Sequence, residues 1–328
     1  MSEIDYQIED FMTHCQTKGL SKKTMLSYEQ TIKLFAKYVA DNYKITDAKK
    51  VTEDMIRDYI KNLQKRGKYT FVANQLSKEI NCPENRKDYG EKISTTTINN
   101  YLRNIKVFFN FLQNYRIIRK NPMQNIKTLK NERKALGFIQ DRDFLRLLRH
   151  IDTTKFPEYR DYIIIQLIFD TGMRIGECLD LLVTDIDFQA RAIDLRAETT
   201  KAKKDRTVFF SPKMSEELKK WIQYKDRYIE SDYLFPSRKL GHKLQIGNFE
   251  TNFKKYANRV GLNNAHPHML RNNFAKRCLM NGMDIYTLSR ILGHSSVTVT
   301  ERAYLDLTND DIRKNYQRFS PLSNLKRY

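Results

Sequence analysis

Apolar residues recur every three or four positions over most of this chain, and the spacing changes to alternation in one stretch. A three- to four-residue spacing is typical of an amphipathic helix, whereas alternation is typical of a half-buried strand. The alternating stretch contains Ile186–Phe188, Ala192–Leu195 and Thr207–Phe210, separated by polar turns. The sequence therefore predicts a mainly α protein with one small antiparallel β-sheet.

Four amphipathic helices are predicted in residues 1–125. Gly19-Leu20-Ser21 separates the first two, and Ser21 is the expected N-cap of the second. Thr52 opens the third helix, which stops near Gly67, and the fourth runs from Thr95 towards Asn121-Pro122. We interpret this part of the chain as a small helical domain.

Two segments depart from the helical pattern. Residues 68–94 are polar, contain Pro83 and Gly90, and show only short apolar spots. We expect a surface insertion that reaches DNA or a neighbouring subunit, with a neutral insertion as an equal alternative. Residues 126–137 are charged and aperiodic, which predicts a linker along phosphates, and residues 138–328 then form a second, mostly helical domain. A chain of 328 residues is long enough for two cores.

An excess of basic residues favours a polyanionic partner. The chain carries 59 Lys and Arg against 39 Asp and Glu, a formal charge of +20. Neutralising phosphates and releasing their counterions supplies most non-specific DNA affinity, so double-stranded DNA is the first partner to consider. A generally basic soluble protein is the alternative.

The cysteine spacing and the hydropathy argue against several other classes of protein. The four cysteines show no paired spacing, which argues against a disulfide framework or a zinc knuckle. No stretch approaches the length of a membrane span, and the acidic start lacks a signal-peptide core. We therefore expect a cytoplasmic, nucleoid-associated protein that does not contact a membrane.

Residues suited to phosphodiester chemistry lie in the second half of the chain. Guanidinium groups match phosphate oxygens bidentately, and a tyrosine hydroxyl can attack phosphorus. Glu177, three residues after Arg174, could lie on the same helical face as that arginine and orient it. A metal site built on the histidines is a weak alternative, because no cysteine or carboxylate sits at ligand spacing. The candidates are Arg174, His268, Arg271, His294 and Tyr304.

Four separated motifs resemble, in order, those of the tyrosine recombinase (integrase) family of site-specific DNA recombinases. Thr171–Glu177 resembles the first arginine box of the family, and Thr200–Arg206 resembles its lysine hairpin. His268–Arg271 is similar to its His-x-x-Arg motif, and Leu292–Ser296 followed by Tyr304 resembles its terminal box. One box alone is weak evidence, whereas four in register are specific and span most of the chain.

The resemblance implies a role for each candidate. Arg174 and Arg271 would clamp the non-bridging oxygens of the scissile phosphate. His268 would accept the tyrosine proton or donate to a phosphate oxygen, and His294 would donate to the phosphate. Lys201 would protonate the leaving 5′-oxygen, with Lys203 as the alternate.

Tyr304 is the nucleophile by resemblance, and it would form a 3′-phosphotyrosyl link. It lies ten residues after His294, one more than the commonest family pattern, and Tyr316 is a distant second candidate. No cofactor and no metal are then needed. Further DNA contacts are expected at basic positions, with a solvated helix face as the even alternative. These positions are Lys22, Lys23, Arg103, Lys106, Lys203 and Lys204.

The resemblance also implies an architecture and an assembly. A SAM-like core-binding domain and a catalytic domain would close around duplex DNA, and a homotetramer on paired sites would exchange strands through a Holliday junction. The apolar tail after Tyr304 would dock on the next protomer, or alternatively on its own domain. Integration and excision of a mobile element is the favoured function. Alternatives are dimer resolution in chromosomes or plasmids, a relaxing topoisomerase and a non-catalytic regulator, and an accessory bending or directionality factor fits any recombinase.

Overall fold

The computed structural model describes residues 2–131, 137–196, 205–239, 241–294 and 296–302, together with positions 313 and 316. The chain divides into two compact units, Met1–Arg133 and Lys134–Tyr328. The described residues are mainly helical with one small sheet, which confirms the predicted fold class. No helix in the described ranges is long and apolar enough to cross a membrane.

The first unit is built from helices joined by irregular segments. Helix caps lie where polar side chains precede apolar periodicity: Ser21 Oγ accepts from the backbone N–H of Thr24 at 3.2 Å, and Thr52 Oγ1 accepts from that of Met55 at 3.5 Å. Ile8, Phe35 and Phe108 are fully buried in the core that these helices share. The helices are α1 (Glu3–Thr17), α2 (Lys22–Tyr43), α3 (Glu53–Lys65), α4 (Gln75–Asn81) and α5 (Thr95–Asn114).

Helix α4 lies inside the polar insertion of residues 68–94, where the sequence predicted no helix. The base of the insertion is closed by backbone pairing, since Lys68 N donates to Glu91 O at 2.7 Å and Gly90 N donates to Lys68 O at 3.0 Å. At the start of the predicted linker, Ile126 is buried in the core of the first unit.

The second unit combines a three-stranded antiparallel sheet with helices. The strands β1 (Ile186–Asp187), β2 (Ala192–Leu195) and β3 (Arg206–Phe209) follow chain order, with Ile193 paired to Val208 and Leu195 to Arg206. The helices before the sheet are α6 (Asp141–Arg149), α7 (Phe156–Thr171) and α8 (Ile175–Leu179). Those after it are α9 (Pro212–Asp226), α10 (Ile246–Arg259), α11 (His268–Met280), α12 (Ile285–Leu292) and α13 (Val297–Arg302).

Helix α7 is buried nearly all round and packs against α9 and α11. It ends at Gly172, whose φ of 68° lies in the left-handed region that favours glycine. A Cβ at this position would meet the ring of Phe274 on α11 at 2.2 Å. Glycine therefore allows the turn and the close approach that bring the start of α8 beside α11.

Candidate active site

Three arginines from three separate elements converge on the C-terminal end of α12. Arg206 Nε donates to the carbonyl of Ile291 at 3.0 Å. Arg271 Nη2 donates to that of Leu292 at 2.7 Å, and Arg174 Nη2 to that of Gly293 at 3.2 Å. The last carbonyls of a helix lack partners within the helix and carry its negative dipole end, so they suit cationic donors. The end of α12 thus gathers three guanidinium groups.

Glu177 joins two of these arginines. Its Oε1 accepts from Nη1 of Arg174 at 2.8 Å and from Nη1 of Arg206 at 2.9 Å. Its Oε2 accepts from the backbone N–H of Arg174 at 2.8 Å and from Nη2 of Arg206 at 2.6 Å. Glu177 is 2% exposed, and burial alone would raise its pKa, but the bonds from Arg206 and Arg174 hold that pKa below its ordinary value.

Arg271 is held in the first turn of α11 by buried contacts. It is 4% exposed, and its Nη1 donates to the carbonyl of Gly172 at 2.8 Å. Its Nη2 also lies 3.0 Å from Nε2 of His294. The left-handed turn at Gly172 and the end of α12 therefore fix one guanidinium between them.

The two histidines of the site have lowered pKa values. Burial lowers the pKa of His294 to about 4, and the charges of Arg271, Arg174 and Arg206 act in the same direction. His268 begins α11 and keeps part of its surface exposed, but the atoms packed around it desolvate its ring. This desolvation, followed by the charge of Arg271, lowers its pKa. Both rings are therefore neutral near pH 7, and a neutral imidazole can accept a proton.

The structure brings together five of the predicted residues and leaves others apart. Arg174 contacts Glu177, Arg271 contacts His294, and the two arginines donate to neighbouring carbonyls at the end of α12. The charges of Arg271 and Arg174 also act on His268. Four predicted residues lie outside the described ranges. They are Lys201, Lys203, Lys204 and Tyr304.

The remaining predicted DNA contacts lie in the first unit. Lys22 and Lys23 occupy the first turn of α2, and Arg103 and Lys106 lie one helical turn apart on α5. All four side chains are exposed, while Leu102 and Ile105 beside the second pair are buried. The alternative second tyrosine, Tyr316, is also exposed.

Arg206 is the member of the cluster to which the sequence reasoning gave no role. A signal for it was present, because side chains two apart on a strand share a face, and Val208 and Phe210 are apolar. The structure buries both of these residues, and Arg206 lies on the same side. Thr300 was also missed: its hydroxyl lies 2.7 Å from Nδ1 of His294.

No group of three His, Cys, Asp or Glu side chains that could hold a metal ion is found among the described residues. The positive charge of the cluster comes from its arginines. Three guanidinium groups against the one carboxylate of Glu177 leave a net charge of about +2, with the histidines neutral. This arrangement can bind a phosphodiester and can offset charge that grows on its non-bridging oxygens.

Comparison with protein families identifies two matching models. The model described as "Phage integrase family" matches residues 138–310, which is more than half of the chain. The model described as "Phage integrase, N-terminal SAM-like domain" matches residues 8–78. The two matches fall within the two compact units of the structure.

Similar proteins of known name span nearly the whole chain. Tyrosine recombinase XerC of Oceanobacillus iheyensis is 25% identical over 99% of this chain and 99% of its own. A tyrosine recombinase of Pseudothermotoga lettingae is 27% identical over 95% of this chain and 96% of its own.

Solved structures show the same fold at lower identity. The Tn1549 transposon integrase in complex with transposon right end DNA has a TM-score of 0.71 at 18% identity, covering 98% of this chain and 100% of that one. A lambda integrase dimer bound to a COC′ core site has a TM-score of 0.68 at 14% identity, covering 93% and 96%. The XerH recombinase bound to difH before cleavage has a TM-score of 0.64 at 20% identity, covering 95% and 84%.

Proposed function

The chain belongs to the phage integrase family of tyrosine recombinases, and from this membership we propose that it cuts and rejoins duplex DNA at paired specific sites through a 3′-phosphotyrosyl intermediate. The observation that carries the proposal is the convergence of Arg174, Arg206 and Arg271 on one helix end. Preorganised donors of this kind stabilise charge on a reacting group without reorganising during the reaction.

The proposed chemistry is a transesterification. The hydroxyl oxygen of Tyr304 attacks phosphorus, and the bond between phosphorus and the 5′-oxygen breaks. His268 takes the tyrosine proton, since its lowered pKa leaves the ring neutral near pH 7. Lys201, or Lys203 in its place, gives a proton to the leaving oxygen. Arg174 and Arg271 hold the non-bridging oxygens while phosphorus is five-coordinate.

The energy of the broken bond is kept in the phosphotyrosyl link. A 5′-hydroxyl from another strand can attack that link, which restores a phosphodiester and frees Tyr304. The two proposed steps consume no nucleotide and use no metal ion. We propose that a homotetramer on two sites performs the exchange pairwise through a Holliday junction, with tails exchanged between protomers and an accessory factor setting direction where one is needed.

Two biological settings suit this chemistry. The sequence alone favoured integration and excision of a mobile element, and the fold shared with the Tn1549 transposon integrase keeps that setting as the second candidate. Relatives that match almost the whole chain carry the names XerC and XerD, which favours resolution of chromosome or plasmid dimers. We therefore place dimer resolution first.

A nicked suicide substrate tests the proposed function. The substrate carries the site found by footprinting, and its nick lets the cleaved fragment diffuse away, so that the covalent adduct accumulates. We expect adduct from the native protein and from Tyr316→Phe, and none from Tyr304→Phe. Adduct with Tyr304→Phe would contradict the assigned nucleophile. Sequence-specific binding without adduct would indicate a regulator, and plasmid relaxation without recombinant products would indicate a topoisomerase.

A further inference from the structure

We propose that Arg206 is a positioning residue for the cleavage reaction. By holding Glu177, it keeps Arg174 oriented towards the phosphate and offsets the carboxylate charge beside Arg174. The inference rests on the proposed function. Arg206 does not need to touch the DNA in this role, because it acts through the Glu177 carboxylate that it shares with Arg174.

All three nitrogens of the Arg206 guanidinium have acceptors. Nη1 and Nη2 donate to the two carboxylate oxygens of Glu177 at 2.9 and 2.6 Å, and Nε donates to the carbonyl of Ile291 at 3.0 Å. This bidentate geometry fixes the plane of the carboxylate, which a lysine ammonium cannot do because its donors do not form a planar fork. Glu177 then presents Oε1 to Arg174 in one orientation.

The charges give Arg206 a second effect. Glu177 lies against Arg174, and without Arg206 the buried carboxylate would offset the positive charge of Arg174 almost completely. With Arg206 on its other side, the carboxylate is shared between two cations, and the pair of arginines keeps a net positive charge. The phosphate would therefore meet a stronger cation than an isolated Arg174–Glu177 pair could supply.

The position of Arg206 in the fold supports a role in cleavage beyond core stability. Arg206 is the first residue of β3 and pairs with Leu195, and the chain between these strands contains the predicted general acid, Lys201. Through Arg206, the start of β3 thus contacts both the start of α8 and the end of α12. The fit is close, since a Cβ at Gly293 would lie 2.8 Å from Cδ of Arg206.

The test compares Arg206→Met and Arg206→Lys with a control variant, in which an arginine of an exposed ion pair is replaced. Arg259→Ala is the control, because Arg259 donates to Glu158 at 3.4 Å at the surface of the same unit. The rate of adduct formation is measured at saturating nicked duplex, and the dissociation constant for that duplex is measured separately. We expect Arg206→Met to cleave about 10- to 100-fold more slowly with DNA affinity changed less than about twofold. Arg206→Lys should lie nearer to Arg206→Met than to the native protein.

Two further measurements separate positioning from loss of stability. The first repeats the rates on a duplex with a neutral methylphosphonate at the cleavage position, where the positive charge of Arg174 matters less. The slowing by Arg206→Met should then shrink several-fold. The second repeats Arg206→Met in a Glu177→Gln background, where no carboxylate charge remains to be offset, and the slowing should shrink again.

The same experiments can overturn the proposal. Equal slowing on both substrates and in both backgrounds would show that Arg206 only stabilises the fold, and a native rate in Arg206→Met would show no role in cleavage. If the methylphosphonate duplex reacts too slowly for its rate to be measured, the comparison in the Glu177→Gln background decides between positioning and fold stability. If Arg206→Met does not fold, Arg206→Gln, which also removes the charge but keeps a hydrogen-bond donor, carries both comparisons. Absence of adduct from the native protein would instead refute the proposed function.

Discussion

Nη2 of Arg271 lies 3.0 Å from Nε2 of His294, and this contact sets the tautomer of the histidine ring. A guanidinium only donates hydrogen bonds, so Nε2 must be the unprotonated nitrogen. The proton of the neutral ring is then on Nδ1, where it is donated to Oγ1 of Thr300 at 2.7 Å. While this arrangement persists, His294 cannot donate to a phosphate through Nε2. A bound phosphate must therefore either favour uptake of a proton from solvent by the ring, through its negative charge, or take over the Arg271 contact.

The pKa of His294 predicts a pH dependence of stability. Native His294 has a pKa of about 4, against 6.5 for the ordinary value, so the unfolded chain binds this proton more readily between the two. The stability is fully present above pH 6.5 and is lost as the pH falls towards 4. The loss is at most about 3 kcal/mol in the free energy of unfolding.

Urea unfolding at several pH values measures this loss. His294→Asn is the comparison, because an asparagine can accept from Arg271 and donate to Thr300 without titrating. The native protein should lose more stability than the variant between pH 7 and pH 4.5. His268, whose pKa is also lowered, titrates in both proteins and cancels from the difference. Parallel pH curves would contradict the prediction.

Replacing Arg271 should damage cleavage more than DNA binding. Arg271→Lys keeps a positive charge but cannot contact Gly172, Leu292 and His294 together. We expect adduct formation to slow by about 10²- to 10³-fold, the usual effect of removing one donor to a developing anion. Thermal unfolding of the same sample reports any accompanying loss of stability. A rate near that of the native protein would exclude Arg271 from the phosphate clamp.

Gly293→Ala should displace Arg206. Gly293 has a φ of 61°, and an added Cβ would lie 2.8 Å from Cδ of Arg206. Gly261 has a φ of 77° with no atom within 4 Å of the same added carbon, so Gly261→Ala carries the backbone strain without the clash. Each variant should lose about 1 kcal/mol of stability to backbone strain, and Gly293→Ala should lose more and should also cleave more slowly. If the two variants lose the same stability and cleave at the same rate, Arg206 can move away from the added Cβ without effect on the site.

Local patterns in the sequence predict much of the first unit and the sheet. The caps at Ser21 and Thr52 and the alternation before Val208 depend on neighbouring residues, so they can be read without tertiary information. Helix α4 escaped prediction because its apolar residues do not face a core: Leu76 is 68% exposed and Ile80 is 80% exposed. A helix without a buried stripe leaves no hydrophobic period to detect.

The contacts within the site were less predictable than its members. Motif spacing identified Arg174 and Glu177, which lie three residues apart at the start of α8. The second arginine on Glu177 comes from a strand 29 residues further along, and its contact depends on how β3 packs against α12. No local spacing in the sequence encodes the pairing of Arg206 with Glu177. The position of Arg206 two residues before the apolar Val208 indicates only that both side chains face the same side of the strand.

The exposed cations of α5 provide a test of DNA contact in the first unit. Arg103 and Lys106 lie one helical turn apart and face solvent, while Ile105 between them is buried. If both side chains neutralise phosphates, replacing both with alanine should lower affinity and should reduce the slope of log affinity against log salt by about 2, since each contact contributes about 0.9.

Lys61→Ala is the matched control for that measurement. Lys61 is an exposed lysine of the same unit, but its Nζ lies 2.9 Å from Asp58 Oδ1, so it already has an anionic partner. Titrations from low to moderate salt should give the native slope for Lys61→Ala and the reduced slope for the α5 variant, while the cleavage rate at saturating DNA stays the same in both. An unchanged slope in the α5 variant would assign Arg103 and Lys106 to a solvated helix face, since a phosphate contact cannot be lost without releasing fewer counterions on binding.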